Sequence, residues 1–238
     1  MMPVLLGLFA ASPVSNAAKC QPTTIGALAK QPAPAIFVLG ERRGTQPDLA
    51  RATRLMHRLT STGEPVTVAL QAVSTDKQAV LDRYAQGVLP STDLPGLLDW
   101  SASNGFPYRP YEPLVTAAIQ ETDVLAVGVP VEMRPADVPV PLAPGYIATL
   151  QDAMSGHLMP PELESRFVQT VSWTDHRIAQ RAIENWDHQG YLVIVADRLH
   201  VEGGKGISYQ ASRMSGADLL TVNLSGEGAC YPGDQYLP

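Results

Sequence analysis

Two stretches, Ala35-Ile36-Phe37-Val38-Leu39-Gly40-Glu41-Arg42-Arg43 and Gly190-Tyr191-Leu192-Val193-Ile194-Val195-Ala196-Asp197-Arg198-Leu199-His200, each run from an unbroken apolar segment into polar or charged residues. Such runs read as strands buried on both faces, the mark of a parallel sheet covered by helices. In open α/β sheets, ligands sit just beyond the carboxyl ends of strands of this kind. Residues 40–43 and 197–200 are therefore where a site is expected.

Outward from these two strands, the pattern alternates. Leu49, Ala52, Leu55, Met56 and Leu59 recur at helical spacing within residues 46–62, and Gly63-Glu64-Pro65 ends that helix. Residues 66–70 read as a strand, 76–86 as a helix, 93–103 as a short helix, and 112–121 as a helix leading into a strand at 124–129. The stretch 130–161 is rich in proline, has no clear period, and reads as a flap without regular structure. The longest helical pattern, 161–188, places Phe167, Val171, Ile178, Ala182 and Ile183 on one face. A last strand at 218–224 precedes a polar tail. Strands alternating with helices predict an α/β domain over residues 35–228, built on a mainly parallel sheet with helices on both faces.

Composition bounds what the chain can do. Its 238 residues suffice for one large α/β domain, and 45% hydrophobic with 17% charged residues is an ordinary globular balance. A net charge of −6 argues against nucleic acid as a partner, because phosphate binding needs concentrated Lys and Arg. No apolar run reaches the roughly 18–20 residues that span a bilayer. Residues 1–18 hold a short apolar core ending in small residues, the pattern of a secretory signal peptide, although a positively charged start is missing. An exported protein, periplasmic or extracellular, is expected, with a Pro-rich segment at 19–34 and a tail at 229–238. Cys20 and Cys230 are the two cysteines, one near each end of the exported chain. In an oxidising compartment such a pair suggests a disulfide tying the tails together, with an upper bound of roughly 4–5 kcal/mol from loop closure.

The residues able to carry chemistry fall at the strand ends and in two loops. Arg42 and Arg43 can hold carboxylates or phosphates in bidentate fashion, with Glu41 fixing their orientation, or form a surface ion-pair cluster. His200 follows the second strand and His157 lies in the Pro-rich stretch, whereas His57, His176 and His188 fall within helical patterns and read as surface residues. Tyr108 and Tyr111 belong to an aromatic loop that either lines a flat ligand or caps the core; tyrosinate is also an axial ligand of haem iron. No zinc, Walker, GxSxG or GxGxxG motif is present.

Taken in order, these landmarks resemble the ChaN-like haem-binding family of the Tiki/ChaN superfamily. The resemblance is carried by Leu39-Gly40-Glu41-Arg42, Leu81-Asp82-Arg83-Tyr84 with Gly87, Tyr111-Glu112-Pro113-Leu114, Gly156-His157-Leu158-Met159-Pro160, Asp175, and Val195-Ala196 followed by Leu199-His200-Val201. It implies a ChaN-like core and a protein of iron or haem uptake. Haem or a related tetrapyrrole would be its ligand, in a site drawn from Glu41, Arg42, Arg43, Tyr108, Tyr111, His157, Asp175 and His200. Arg42 and Arg43 would hold the propionates, and Tyr111 or His157 would reach the iron. The resemblance also admits a haem-linked homodimer and an outer-membrane uptake partner.

Where members carry Gly-Glu-Arg-His, an acid after the second strand, and Gly-Asn-Gly before the last histidine, this chain has Arg43, Gln71 and Asp197-Arg198-Leu199. Losing a histidine and an acid removes two plausible ligands, so a divalent-metal site is disfavoured relative to haem. Two alternatives to a non-catalytic haem binder stay open: a divergent metal-dependent hydrolase using Glu41, His157, Asp175 and His200, and a degenerate member that binds a protein partner.

Overall fold

A computed structural model describes residues 20–133, 138–154, 160–226, 231 and 233–238. The leader, His157 and Cys230 lie outside the described residues.

Seven strands form one sheet: β1 (Cys20–Pro22), β2 (Ala35–Glu41), β3 (Val66–Ser74), β4 (Asp123–Gly128), β5 (Tyr191–Asp197), β6 (Asp218–Asn223) and β7 (Asp234–Tyr236). Their order is β1-β7-β6-β2-β5-β3-β4, and every paired neighbour runs parallel. Nine helices are seen among the described residues: α1 (Ile25–Leu28), α2 (Gln46–Thr60), α3 (Gln78–Ala85), α4 (Leu94–Leu97), α5 (Trp100–Asn104), α6 (Glu112–Glu121), α7 (Tyr146–Ala153), α8 (Pro161–Glu184) and α9 (Ile207–Met214). The expected α/β architecture is thus present.

The two quoted stretches are the centre of the sheet and lie side by side. Register runs from Ala35 opposite Tyr191 to Glu41 opposite Asp197, so both polar clusters leave the sheet at one edge. Alternation along these strands explains why both had to be wholly apolar. Phe37, Leu39, Val193 and Val195 point to one side, where α2 and α6 bring Leu55, Leu59 and Val115. Ile36, Val38, Leu192 and Ile194 point to the other, where α8 and α9 bring Ile178, Ala182, Ile207 and Ala211. A side chain buried on either face stabilises the fold by roughly 1.5–3 kcal/mol relative to exposure, so neither face tolerates a polar residue without a partner. The chain leaves β2 towards β3 and β4, then returns to insert β5 between β2 and β3 and to place β6 on the far side of β2. That reversal of direction puts the ligand crevice beside the ends of β2 and β5.

The structure departs from the sequence reading in four places. The tails at 19–34 and 229–238 are not bare connectors, because β1 and β7 pair there and extend the sheet. The Pro-rich stretch at 130–161 contains α7, with Tyr146 and Leu150 buried against Val168 and Val171 of α8. The helix expected at 93–103 breaks in two at Asp99, which takes a left-handed φ of 50°. α8 ends at Glu184, and His188 lies beyond it in a turn with φ of 61°.

Candidate functional site

At the end of β2 the chain turns sharply. The Gly44 N–H donates to Glu41 Oε2 at 2.9 Å, closing the turn. Gly44 has φ of 72°, and a Cβ there would stand 3.0 Å from the Phe106 ring, so the turn needs glycine for both reasons. α2 then starts with Pro47 in its first turn and Asp48 beneath it. Arg42 folds back onto that buried carboxylate: Nε donates to Oδ2 at 3.0 Å, Nη2 to Oδ1 at 3.1 Å, and the Arg42 backbone N–H to Oδ2 at 3.1 Å. Arg42 is therefore a brace between β2 and α2, and it lies off the cavity wall. Arg43 points the other way, pairs with Asp197, and lines the cavity.

Glu41 is 2% exposed and accepts the hydroxyl of Tyr111, itself 2% exposed. Burial pushes the Glu41 carboxyl up to about 7, against the lowering pull of the Tyr111 and Gly44 hydrogen bonds. Burial next to that carboxylate raises the Tyr111 hydroxyl too, so it serves as a neutral donor. Tyr111 packs on Trp100 at 4.9 Å and stacks on Phe106 at 5.7 Å between ring centroids. Tyr108 packs edge-on against Trp100 at 5.0 Å and does not line the cavity. The aromatic loop is largely core, and Phe106 and Tyr111 are the members that reach the site.

Across the edge, β5 ends at Asp197, whose N–H donates to Gln71 Oε1 at 2.6 Å and whose carboxylate caps the following 3-10 turn at Leu199. Gln71 thus stands where the family pattern has an acid, and it holds the end of β5. It sits where the β3–β4 register shifts between Leu70 and Ser74, an irregularity that turns Gln71 and Ala72 to the cavity. The 3-10 turn carries His200, whose Nδ1 lies 2.6 Å from Oδ1 of fully buried Asp175 in α8. Oδ2 of the same carboxylate accepts the Tyr146 hydroxyl. Burial raises the Asp175 carboxyl, opposed by His200 and Tyr146. A Cβ at Gly206 would come within 2.2 Å of the His200 carbonyl and 2.8 Å of Asp175 Oδ2, so this packing requires glycine.

Between the two strand ends lies a cavity of about 650 Å³, walled by Glu41, Arg43, Gln71, Phe106, Tyr111, Val129, Pro130, Thr174, Asp197 and His200. Asp76, Lys77, Asp99 and Glu132 also line it, and Lys77 pairs with Asp99. The structure thus brings Glu41, Arg43, Tyr111 and His200 to one cavity, with Asp175 behind His200. It places Arg42 and Tyr108 elsewhere; His157 is outside the described residues. Among the described residues no three of His, Cys, Asp or Glu converge as a metal site. Tyr146 and Asp197 had no assigned role in the sequence reading. The spacing of Tyr146, Thr149 and Leu150 is the helical signal that would have exposed the first, but the surrounding prolines obscured it.

Residues 28–136 match the family described as haem-binding uptake, Tiki superfamily, ChaN. That segment is ChaN-like. The fold of the chain is similar to that in a structure of cofacial haem binding to ChaN of Campylobacter jejuni, with a TM-score of 0.69 over 86% of this chain and 85% of that one, at 19% identity. It is also similar to the C-terminal region of Pasteurella multocida toxin, in which a thiol-protease-like catalytic triad is described. There the TM-score is 0.54 at 12% identity, over 90% of this chain but 27% of that one. At these identities the likeness is one of fold. No curated protein matches the sequence. The ChaN-like segment 28–136 supplies Glu41, Arg43, Gln71, Phe106, Tyr111 and Val129, which is most of the cavity wall.

Proposed function

We propose that this ChaN-like protein is an exported binder of haem or a related flat tetrapyrrole, working in iron or haem uptake without catalysing a reaction. The observation that carries this reading is the coincidence just described: the segment that matches a haem-binding family is the segment that builds the cavity. The donor chemistry of the cavity fits a haem in two respects. Phe106, Tyr111, Val129 and Pro130 give it flat and apolar wall, and the His200 imidazole on that wall is held at Nδ1 by a buried carboxylate. Haem would supply the iron as cargo, while Asp175 and Tyr146 hold the histidine in place. Tyr111 is a poorer axial candidate than the sequence suggests, because its hydroxyl proton is committed to Glu41. The propionates need cations other than Arg42, which braces Asp48.

Export rests on the apolar leader, and a disulfide between Cys20 and Cys230 agrees with it. In support, Cys20 pairs in register with Asp234, on the strand that follows Cys230. A homodimer and an outer-membrane uptake partner belong to the same reading. Titration of the purified protein with hemin tests it. A saturable Soret shift at about one haem per chain is expected, and a featureless response rejects haem binding.

One observation favours a hydrolase as the second reading. Glu41, a carboxyl titrating near neutrality, shares a cavity with a histidine backed by a buried aspartate, which is the pairing that general acid–base chemistry uses. Turnover of a panel of aryl esters that disappears in both Glu41→Gln and His200→Ala would establish it.

A further inference from the structure

Beside the main cavity, and sharing its wall at Asp76, Val129 and Pro130, is a second hollow of about 340 Å³. Its remaining lining is Thr75, Met133, Trp173, Arg177 and Arg181. The last three are spaced four residues apart on α8, so they form one face with about 6 Å of rise between successive side chains.

The two arginines stand apart from the others near the site. Arg42, Arg43, Arg51 and Arg198 each pair with a carboxylate. Arg177 and Arg181 make no ion pair among the described residues, in a chain with 23 acidic and 17 basic residues. The Arg177 guanidinium donates to Gln180 Oε1 at 2.5 Å. Arg181 Nε is shut away from solvent and lacks a hydrogen-bond partner among the described residues. A buried donor left without an acceptor is costly, and a guanidinium presents several donors in a fixed fork that matches a carboxylate. Asp76, the one acid on this wall, is already engaged by the Ser74 hydroxyl and sits 3.9 Å from Lys77. The floor between is apolar: the Trp173 indole, Val129, Pro130 and Met133.

We propose that Trp173, Arg177 and Arg181 form a carboxylate-binding subsite, which holds the anionic edge of a planar apolar ligand whose body lies over the shared wall towards His200. The choice of haem as that ligand rests on the function proposed above. The subsite would then take the propionates, the role the sequence reading gave to Arg42 and Arg43. Trp173 and Pro130 supply the flat contact, and the guanidiniums supply charge-assisted hydrogen bonds.

The test titrates the wild-type protein and Arg177→Gln/Arg181→Gln with hemin and with its dimethyl ester, which has no carboxylates. Arg177 is exposed and Arg181 half-buried on a long helix, and glutamine keeps the helix propensity. Hemin affinity is expected to fall about tenfold or more in the variant, while ester affinity stays within about twofold. Equal hemin affinity in the two proteins overturns the subsite. If the wild-type protein takes up no hemin, the haem reading fails by itself, and the subsite is judged on pyrenecarboxylate by quenching of tryptophan emission. Binding that the variant loses sustains the subsite. Binding that the variant keeps, or none in the wild type, overturns it.

Discussion

Tyr111, at the start of α6, gives its hydroxyl proton to Glu41 at the end of β2, and both side chains are almost wholly shielded from solvent. One hydrogen bond therefore ties the helical layer to the strand end that floors the cavity. It also keeps a carboxyl in a place where desolvation would otherwise raise it further.

That carboxyl makes stability depend on pH. Glu41 is shifted from an ordinary 4.5 to about 7 in the fold, so between those values the folded state binds more protons than the unfolded one. Stability contributed by this group is fully present below about pH 4.5 and falls as pH rises towards 7, by up to about 3 kcal/mol. Glu41→Gln should remove that loss. Urea midpoints of wild type and variant, compared at pH 5 and pH 8, should diverge; parallel curves would show that Glu41 is not perturbed.

Arg42 and Asp48 form a clasp rather than a ligand site. Arg42→Ala leaves Asp48, which has no solvent exposure, with the longer 3.4 Å contact to Arg51 as its remaining ion pair among the described residues. A loss of about 2–4 kcal/mol in unfolding free energy is expected, with hemin affinity unchanged. A variant of normal stability that binds hemin more weakly would restore Arg42 to the site.

The Tyr108 hydroxyl is buried without a hydrogen-bond partner among the described residues. Tyr108→Phe should therefore be neutral or stabilise by up to about 1 kcal/mol, and should leave the Soret spectrum of the hemin complex as it is. A shifted Soret maximum would mean that Tyr108 touches the iron.

Asp175 serves two partners at once, so its substitutions should be unequal. Asp175→Ala removes a buried acceptor from both His200 and Tyr146 and should cost about 3 kcal/mol, whereas Tyr146→Phe removes one donor and should cost about 1 kcal/mol. Thermal unfolding of both proteins checks the ratio. If hemin binds through His200, its Soret position should also move in Asp175→Ala and stay in Tyr146→Phe.

By itself the sequence determined the middle of the sheet. Continuous apolar runs such as 35–39 and 191–196 have few solutions other than strands buried on two faces, and their polar ends then mark the crevice, because burial imposes itself on every residue of such a strand. It also carried the ChaN-like resemblance, which drew Glu41, Tyr111, Asp175 and His200 into one list before any geometry was known. What only the tertiary structure decided is which way each polar side chain turns. Arg42 and Arg43 are adjacent and chemically alike, yet one closes on Asp48 and the other on Asp197, a choice set by the direction of the turn and the start of α2. The short strands β1 and β7 at one side of the sheet left no local signal, since three-residue strands are held by pairing rather than by their own apolar pattern. Tyr146, Arg177 and Arg181 became visible for the same reason: their meaning lies in neighbours brought close by packing, which no spacing along the chain records.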